Sequence, residues 1–258
     1  MIQTTSRDDV TVLHLTHGSV NALDGELMGA LADSLEELER NGARAIVLTG
    51  TDAVFSAGAD LLRILEDGPD YVTRARPNAN RAFEKLFTFP RPIVAAVNGH
   101  AIAGGCVLAL ACDHRVASSG DHRIGLPELR VGVPFPVWAL ETVRFAVAPP
   151  HLQRLMTSGK LCSVDEALER GLVDEVVEPT RLLERAVEIA GRMASITPAT
   201  FALTKRQLRE PFVTRARASS RTDDEGFAIW ISEEARDSMR RFVDRTLGRQ
   251  GGGSGTRA

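Results

Sequence analysis

Two short segments carry residue types suited to chemistry: Phe55-Ser56-Ala57-Gly58-Ala59-Asp60 and Asn98-Gly99-His100-Ala101-Ile102-Ala103-Gly104-Gly105. Each follows an apolar run, Ala45 to Leu48 in one case and Ile93 to Val97 in the other, and so reads as a strand-to-helix connection. Small side chains let another group approach the backbone, and the first turn of a helix offers unpaired N–H groups at the positive end of its dipole. Such a place favours an anion. Tight turns also need small residues for purely geometric reasons, so either segment alone is ordinary punctuation. Neither ends in the Gly-Lys-Ser/Thr of a phosphate-cradling loop or carries the Gly-x-Gly-x-x-Gly of a dinucleotide fold.

For an acid or base the sequence offers Glu128, in Gly125-Leu126-Pro127-Glu128. By itself that residue also fits an exposed carboxylate in the first turn of a helix, where acids commonly follow proline. His100 reads as a packing or solvent-facing histidine, Asp60 and Asp113 as caps or braces of turns, and Arg63 as a surface residue. The six histidines and three cysteines show no ligand spacing, so no metal site is expected, and there is no Gly-x-Ser-x-Gly nucleophile elbow.

These residues need elements to hold them. Val10 to Leu15 reads as a strand, and Gly25 to Arg40 as a helix with Leu27, Leu31, Leu35 and Leu38 on one face, ended by Asn41-Gly42. Ala45 to Leu48 and Ile93 to Val97 read as buried strands. Between them comes a polar loop and then a helix over Asn80 to Phe87, broken by Pro90 and Pro92. Cys106 to Cys112 is apolar all round, as in a helix buried on every side, and Val116 to Ser118 is a short strand. Alternating strands and helices predict an α/β fold. From about Thr197 strand signals stop, and Ala199 to Glu210 and Ser232 to Leu247 read as helices. The expected organisation is a core over 1–196, a helical subdomain over 197–250 and a disordered Gly/Ser-rich tail over 251–258.

The chain has 258 residues, 43% of them hydrophobic, enough to bury a sizeable core. A formal net charge of −3 with 25% charged residues gives no basic excess for nucleic acid. Cys106, Cys112 and Cys162 form no paired framework, which fits a reducing compartment, and no apolar span is long enough to cross a bilayer. With a polar N-terminus in place of a secretory signal, the expectation is a cytoplasmic protein without a membrane partner.

Taken together the motifs resemble the crotonase (enoyl-CoA hydratase/isomerase) superfamily. The resemblance runs through Asn21-Ala22-Leu23, Phe55 to Leu61, Asn98 to Asp113, Gly125 to Gly132 and Gly171-Leu172-Val173-Asp174, in order along the chain. It implies a crotonase spiral of ββα units followed by helices that assemble trimers or dimers of trimers. It also implies an oxyanion hole for a thioester carbonyl, whose two backbone N–H donors fall by position on Ala59 and Gly104. Such donors stabilise an enolate oxygen without reorganising.

Hydratases of that family carry two glutamates. Here the position of the first is Val107, and that of the second is Glu128. An apolar residue at the first position, and Gly132-Val133-Pro134-Phe135-Pro136-Val137-Trp138 after the second, are similar to mitochondrial-type Δ3,Δ2-enoyl-CoA isomerases. The implied activity is therefore double-bond migration with Glu128 as the single acid/base, the alternatives being hydration with one glutamate or a non-catalytic acyl-CoA binder. The resemblance places coenzyme A, as part of the substrate and with no separate cofactor, along Ala22, Ala57, Gly58, Asp60 and Leu61. Phe242 and Arg245 of the last helix are implied at its far end, with a solvated helix face equally consistent with these two.

Overall fold

The computed structural model describes residues 1–247; the expected tail over 251–258, and 248–250 before it, lie outside the described residues. Strands β1 (Ile2–Arg7) and β2 (Val10–Leu15) form an antiparallel pair, and α1 (Gly25–Arg40) follows. Then come three units of strand, strand and helix. They are β3 (Ala45–Thr49), β4 (Val54–Ser56) and α2 (Leu61–Thr88); β5 (Ile93–Val97), β6 (His100–Ile102) and α3 (Gly104–Ala111); β7 (His114–Ser118), β8 (Ile124–Gly125) and α4 (Glu128–Val131). The first strand of each unit joins a six-stranded sheet, ordered β1-β2-β3-β5-β7-β9 with β9 at Glu175–Val177, and the second joins a three-stranded parallel sheet ordered β4-β6-β8. Each turn of the chain thus adds one strand to both sheets, which is the spiral of ββα units implied by the resemblance.

The central strands β3 and β5 of the large sheet are buried on both faces, and the alternation of their side chains explains how. Ile46, Leu48, Ile93, Ala95 and Val97 point into the main core with Leu27, Leu31 and Leu35 of α1. Their neighbours Ala45, Val47, Val94 and Ala96 point the other way, onto Leu182, Ala186, Ile189 and Ala190 of α8 (Leu182–Ala194). Strands with apolar residues at every position need such double cover.

Two sequence readings require correction. The segment read as a polar loop before Asn80 is mostly helix, because α2 starts at Leu61, breaks at Gly68 (φ +71°) and resumes through Pro77. Pro77 forfeits one backbone hydrogen bond, but its turn is kept by Tyr71, Ala82, Phe83, Leu86 and Phe87, which are buried on the flanks; packing overrides the local penalty. Neither glycine turn is a direct connection from the preceding apolar strand to a helix, since the short strands β4 and β6 intervene before α2 and α3.

Beyond α4 the chain forms α5 (Val137–Ala146), α6 (Pro149–Ser158), α7 (Val164–Glu169), β9 and α8, and then only helices: α9 (Pro198–Ala218), α10 (Ser220–Trp230) and α11 (Glu233–Leu247). Among the described residues no helix is long and apolar enough to cross a membrane. The three cysteines are buried and unpaired.

Candidate active site

The two glycine turns meet. A side-chain carbon on Gly58, whose φ is +83°, would stand 2.7 Å from Ile102 O, 2.8 Å from Ala103 Cβ and 3.2 Å from Gly104 N. Only glycine allows both this conformation and this approach. Asn21 braces the first turn: its amide donates to Phe55 O at 3.2 Å, and its own carbonyl accepts from Ser56 Oγ at 2.7 Å. Leu23 N donates to Gly58 O at 2.8 Å. The second turn reaches α3 through Ala103 at φ +51°, a left-handed conformation uncommon for alanine, and Ala103 N donates to Gly125 O at 2.8 Å.

Among the described residues the N–H groups of Ala59 and Gly104 meet no backbone or side-chain acceptor. Gly104 is the first residue of α3, where an N–H has no partner within the helix. Ala59 and Gly104 line one cavity together with Glu128. The structure therefore brings the three positions into one space, from loops 45 residues apart and a helix further on.

Glu128 opens α4, and its carbonyl accepts from Gly132 N at 3.0 Å and Val133 N at 3.1 Å. Its side chain is only 6% exposed, which removes the reading as a solvated first-turn carboxylate. Oε2 is buried without a hydrogen-bond partner. Burial pushes the carboxyl up to about 8, against a smaller opposing effect from a hydrogen bond with its own backbone N–H. A carboxyl of that kind can hold a proton near neutrality and exchange it with a carbon acid lying beside it. Val107 is fully buried in the main core and supplies no second carboxylate.

The expected coenzyme residues are distributed around this cavity instead of lining it. Ala57 N donates to Val20 O at 3.0 Å, and Asp60 caps α2 by accepting from Arg63 N at 3.0 Å. Ala22, half-buried, accepts from Asp24 N at 3.1 Å. Leu61 and Phe242 pack on one apolar cluster with Ile64, Tyr71 and Val131. Arg245 is exposed in a separate groove shared with Arg130, Phe242 and Thr246. His100 stands outside the cavity, its Nδ1 accepting from Arg123 N at 2.9 Å. Asp113 bridges Lys205 at 2.7 Å and Arg209 at 2.8 Å, and Arg63 is bound to Glu26 at 2.7 Å. Among the described residues no cluster of His, Cys, Asp or Glu could hold a metal.

Part of the cavity wall, Phe135 and Pro136, belongs to the segment after Glu128 that carries the isomerase resemblance. The sequence reading gave no site role to the rest, Tyr71, Arg76, Asn80 and Phe83 of α2 and Asp223, Gly226, Phe227 and Trp230 of α10. Residues 223, 226, 227 and 230 have helical spacing, a signal that finds a helix face but not what it faces.

Residues 5–248 match the family model described as enoyl-CoA hydratase/isomerase. The chain is 38% identical over 192 residues to a putative enoyl-CoA hydratase of Thermus thermophilus, covering 73% of this chain and 75% of that protein. It is 29% identical over 255 residues to the mitochondrial enoyl-CoA delta isomerase 1 of Mus musculus, covering 97% and 88%. The fold superposes on the human mitochondrial delta3-delta2-enoyl-CoA isomerase with a TM-score of 0.91 and 27% identity, covering 96% of this chain and 99% of that one.

Proposed function

We propose that this chain, which belongs to the enoyl-CoA hydratase/isomerase family, moves the double bond of a 3-enoyl-CoA to the 2-position, with Glu128 as its single acid/base. The observation that carries this reading is the buried, unpartnered Oε2 of Glu128 in one cavity with the free N–H groups of Ala59 and Gly104, while the position of a second glutamate is a core valine. The thioester oxygen accepts from the two N–H groups. Ionised Glu128 takes a proton from C2, and the C–H electron pair forms the C1=C2 bond of a dienolate whose negative charge rests on that oxygen. The carbonyl then re-forms, the C1=C2 pair becomes C2=C3, and the former C3=C4 pair takes the proton back from Glu128 at C4. Atoms and charge balance with no water and no oxidant. A single preorganised donor of this kind is worth roughly 3 kcal/mol in comparable sites.

Hydration asks more of the same site. Water must be held, lose a proton to one group and see another delivered to C2, and the cavity's other carboxylate, Asp223, is tied to Arg76 at 2.6 Å. The hydratase name of the Thermus relative keeps hydration with one glutamate as the second reading. We propose that the coenzyme lies along Ala22, Ala57, Gly58, Asp60 and Leu61, with Phe242 and Arg245 as candidate contacts at its far end. Rates measured side by side on 3-enoyl-CoA and 2-enoyl-CoA test the proposal. Faster double-bond migration is expected, while hydration at an equal or higher rate, or binding with no turnover of either, would overturn it.

A further inference from the structure

Helix α10 is held unlike the other long helices. None of its residues with described burial is buried, and its half-buried stripe, Asp223, Gly226, Phe227 and Trp230, lines the candidate active-site cavity; of the four, Trp230 also packs on the apolar cluster of Ile64, Tyr71 and Val131. Its other attachments are polar. Arg76 Nη2 lies 2.6 Å from Asp223 and 2.7 Å from Asp224, and its guanidinium sits 4.5 Å over the Phe227 ring. Asp223 Oδ1 also accepts from Val137 N at 3.0 Å, and Trp230 Nε1 donates to Pro134 O at 2.9 Å.

The latch is remote from the chemistry by a measurable amount. Phe83 marks the reactive end of α2, its Cζ 3.7 Å from where a side-chain carbon on Gly104 would stand. Arg76 is seven residues earlier, about 10 Å of helix rise. Near Arg76 the wall is apolar, with Ala75, Ala79 and Phe227 facing the cavity, and Asn80 is the one polar residue of α2 lining it between Arg76 and Phe83. Because Arg76 and Asp223 satisfy each other, this end of the cavity has no unpaired charge to attract a polar tail. It suits the end of a plain alkyl chain.

Resting on the reading of the site as an acyl-CoA pocket, we propose that α10 is the wall that limits acyl-chain length, and that the Arg76–Asp223/Asp224 latch fixes where that wall stands. Arg76 and Asp223 are then specificity-determining residues, not catalytic ones. Their effect falls on the longer chains, because a short acyl group ends before it reaches them.

The geometry allows tests of opposite sign. Arg76→Ala frees α10 and removes the side chain at the wall, so the limit should move to longer chains. Gly226→Leu should move it to shorter ones: a side-chain carbon there meets only Pro134 Cγ at 3.6 Å, so the leucine has room to extend into the cavity, and the exchange favours helix. The readout is calorimetric affinity for saturated acyl-CoA thioesters from butanoyl to hexadecanoyl, which needs no turnover. In the unaltered protein affinity should rise with chain length and then fall. In Arg76→Ala the ratio of affinities, the first excluded chain over butanoyl, should rise at least tenfold, and in Gly226→Leu the fall should begin at a shorter chain. An unmoved limit in Gly226→Leu, or in a folded Arg76→Ala, overturns the latch alone. Failure of every chain length to bind the unaltered protein overturns the acyl-CoA reading on which it rests.

Discussion

At the scale of single residues Glu128 combines three properties that an exposed glutamate lacks: burial, an unpartnered oxygen and a carboxyl raised to about 8. Glu128→Gln keeps the size but cannot accept a proton. Turnover of 3-enoyl-CoA should fall by roughly 10²–10⁴-fold or more while acyl-CoA affinity changes little, since the backbone donors remain; steady-state rates beside calorimetric binding decide this. As the base must be ionised, kcat/KM of the unaltered enzyme should climb with pH and level off above about 8. Stability runs in the opposite direction. The folded state holds the Glu128 proton more tightly than an unfolded glutamate with its ordinary 4.5, so this contribution is full below 4.5 and is lost as pH rises to about 8. The loss is roughly 3–5 kcal/mol. Thermal melts of Glu128→Gln should lack that slope, and a slope of equal size in the variant would remove Glu128 as its source.

Among elements, α9 shows how a helix with little apolar surface is tied down. Lys205 and Arg209 are buried on its inner face and share Asp113, which also accepts from Ile93 N at 2.8 Å. Arg209 also donates to Ala111 O at 3.0 Å and lies 4.6 Å over the Phe87 ring. Burial lowers Lys205 to about 8, with Asp113 holding it up. Asp113→Ala leaves two cations buried without a counter-charge and should cost roughly 3–5 kcal/mol, seen as an early denaturation midpoint. A loss below about 1 kcal/mol would mean that the pair contributes no more than a surface ion pair. Legibility varied with the kind of force holding each element. The helix read over Gly25 to Arg40 matches α1 because its apolar stripe and its Asn41-Gly42 stop are local. The first half of α2 escaped notice because Pro69 and Pro77 signal breaks locally, whereas the burial that keeps the helix is distant.

For the whole molecule, the likeness to the family carries an expectation about assembly. We propose a trimer or a dimer of trimers built on the helices after Thr197, where Leu203 and Leu208 of α9 are 46% and 60% exposed. Sedimentation equilibrium should give a mass three or six times that of the 27.9 kDa chain, and a stable monomer at micromolar concentration would refute it. Burying α9 leucines in such an interface would also explain apolar side chains that the isolated chain leaves in water.

The alternation of apolar strand runs and helical patterns determined the α/β class, because both are written in adjacent residues; the spiral, and Ala59, Gly104 and Glu128 as a set, followed from the resemblance of the motifs, taken in order, to the crotonase superfamily. Three things were decided only in the tertiary structure. One is the approach of Gly58 to Gly104, which depends on two sheets growing side by side. Another is the raised carboxyl of Glu128, since burial by remote segments, and not its Pro-Glu context, sets its surroundings. The third is the pairing of Arg76 with Asp223, 147 residues apart, across a cavity. A stripe at helical spacing states that one face is to be covered. What covers it, core or substrate pocket, is settled by where the rest of the chain has already packed.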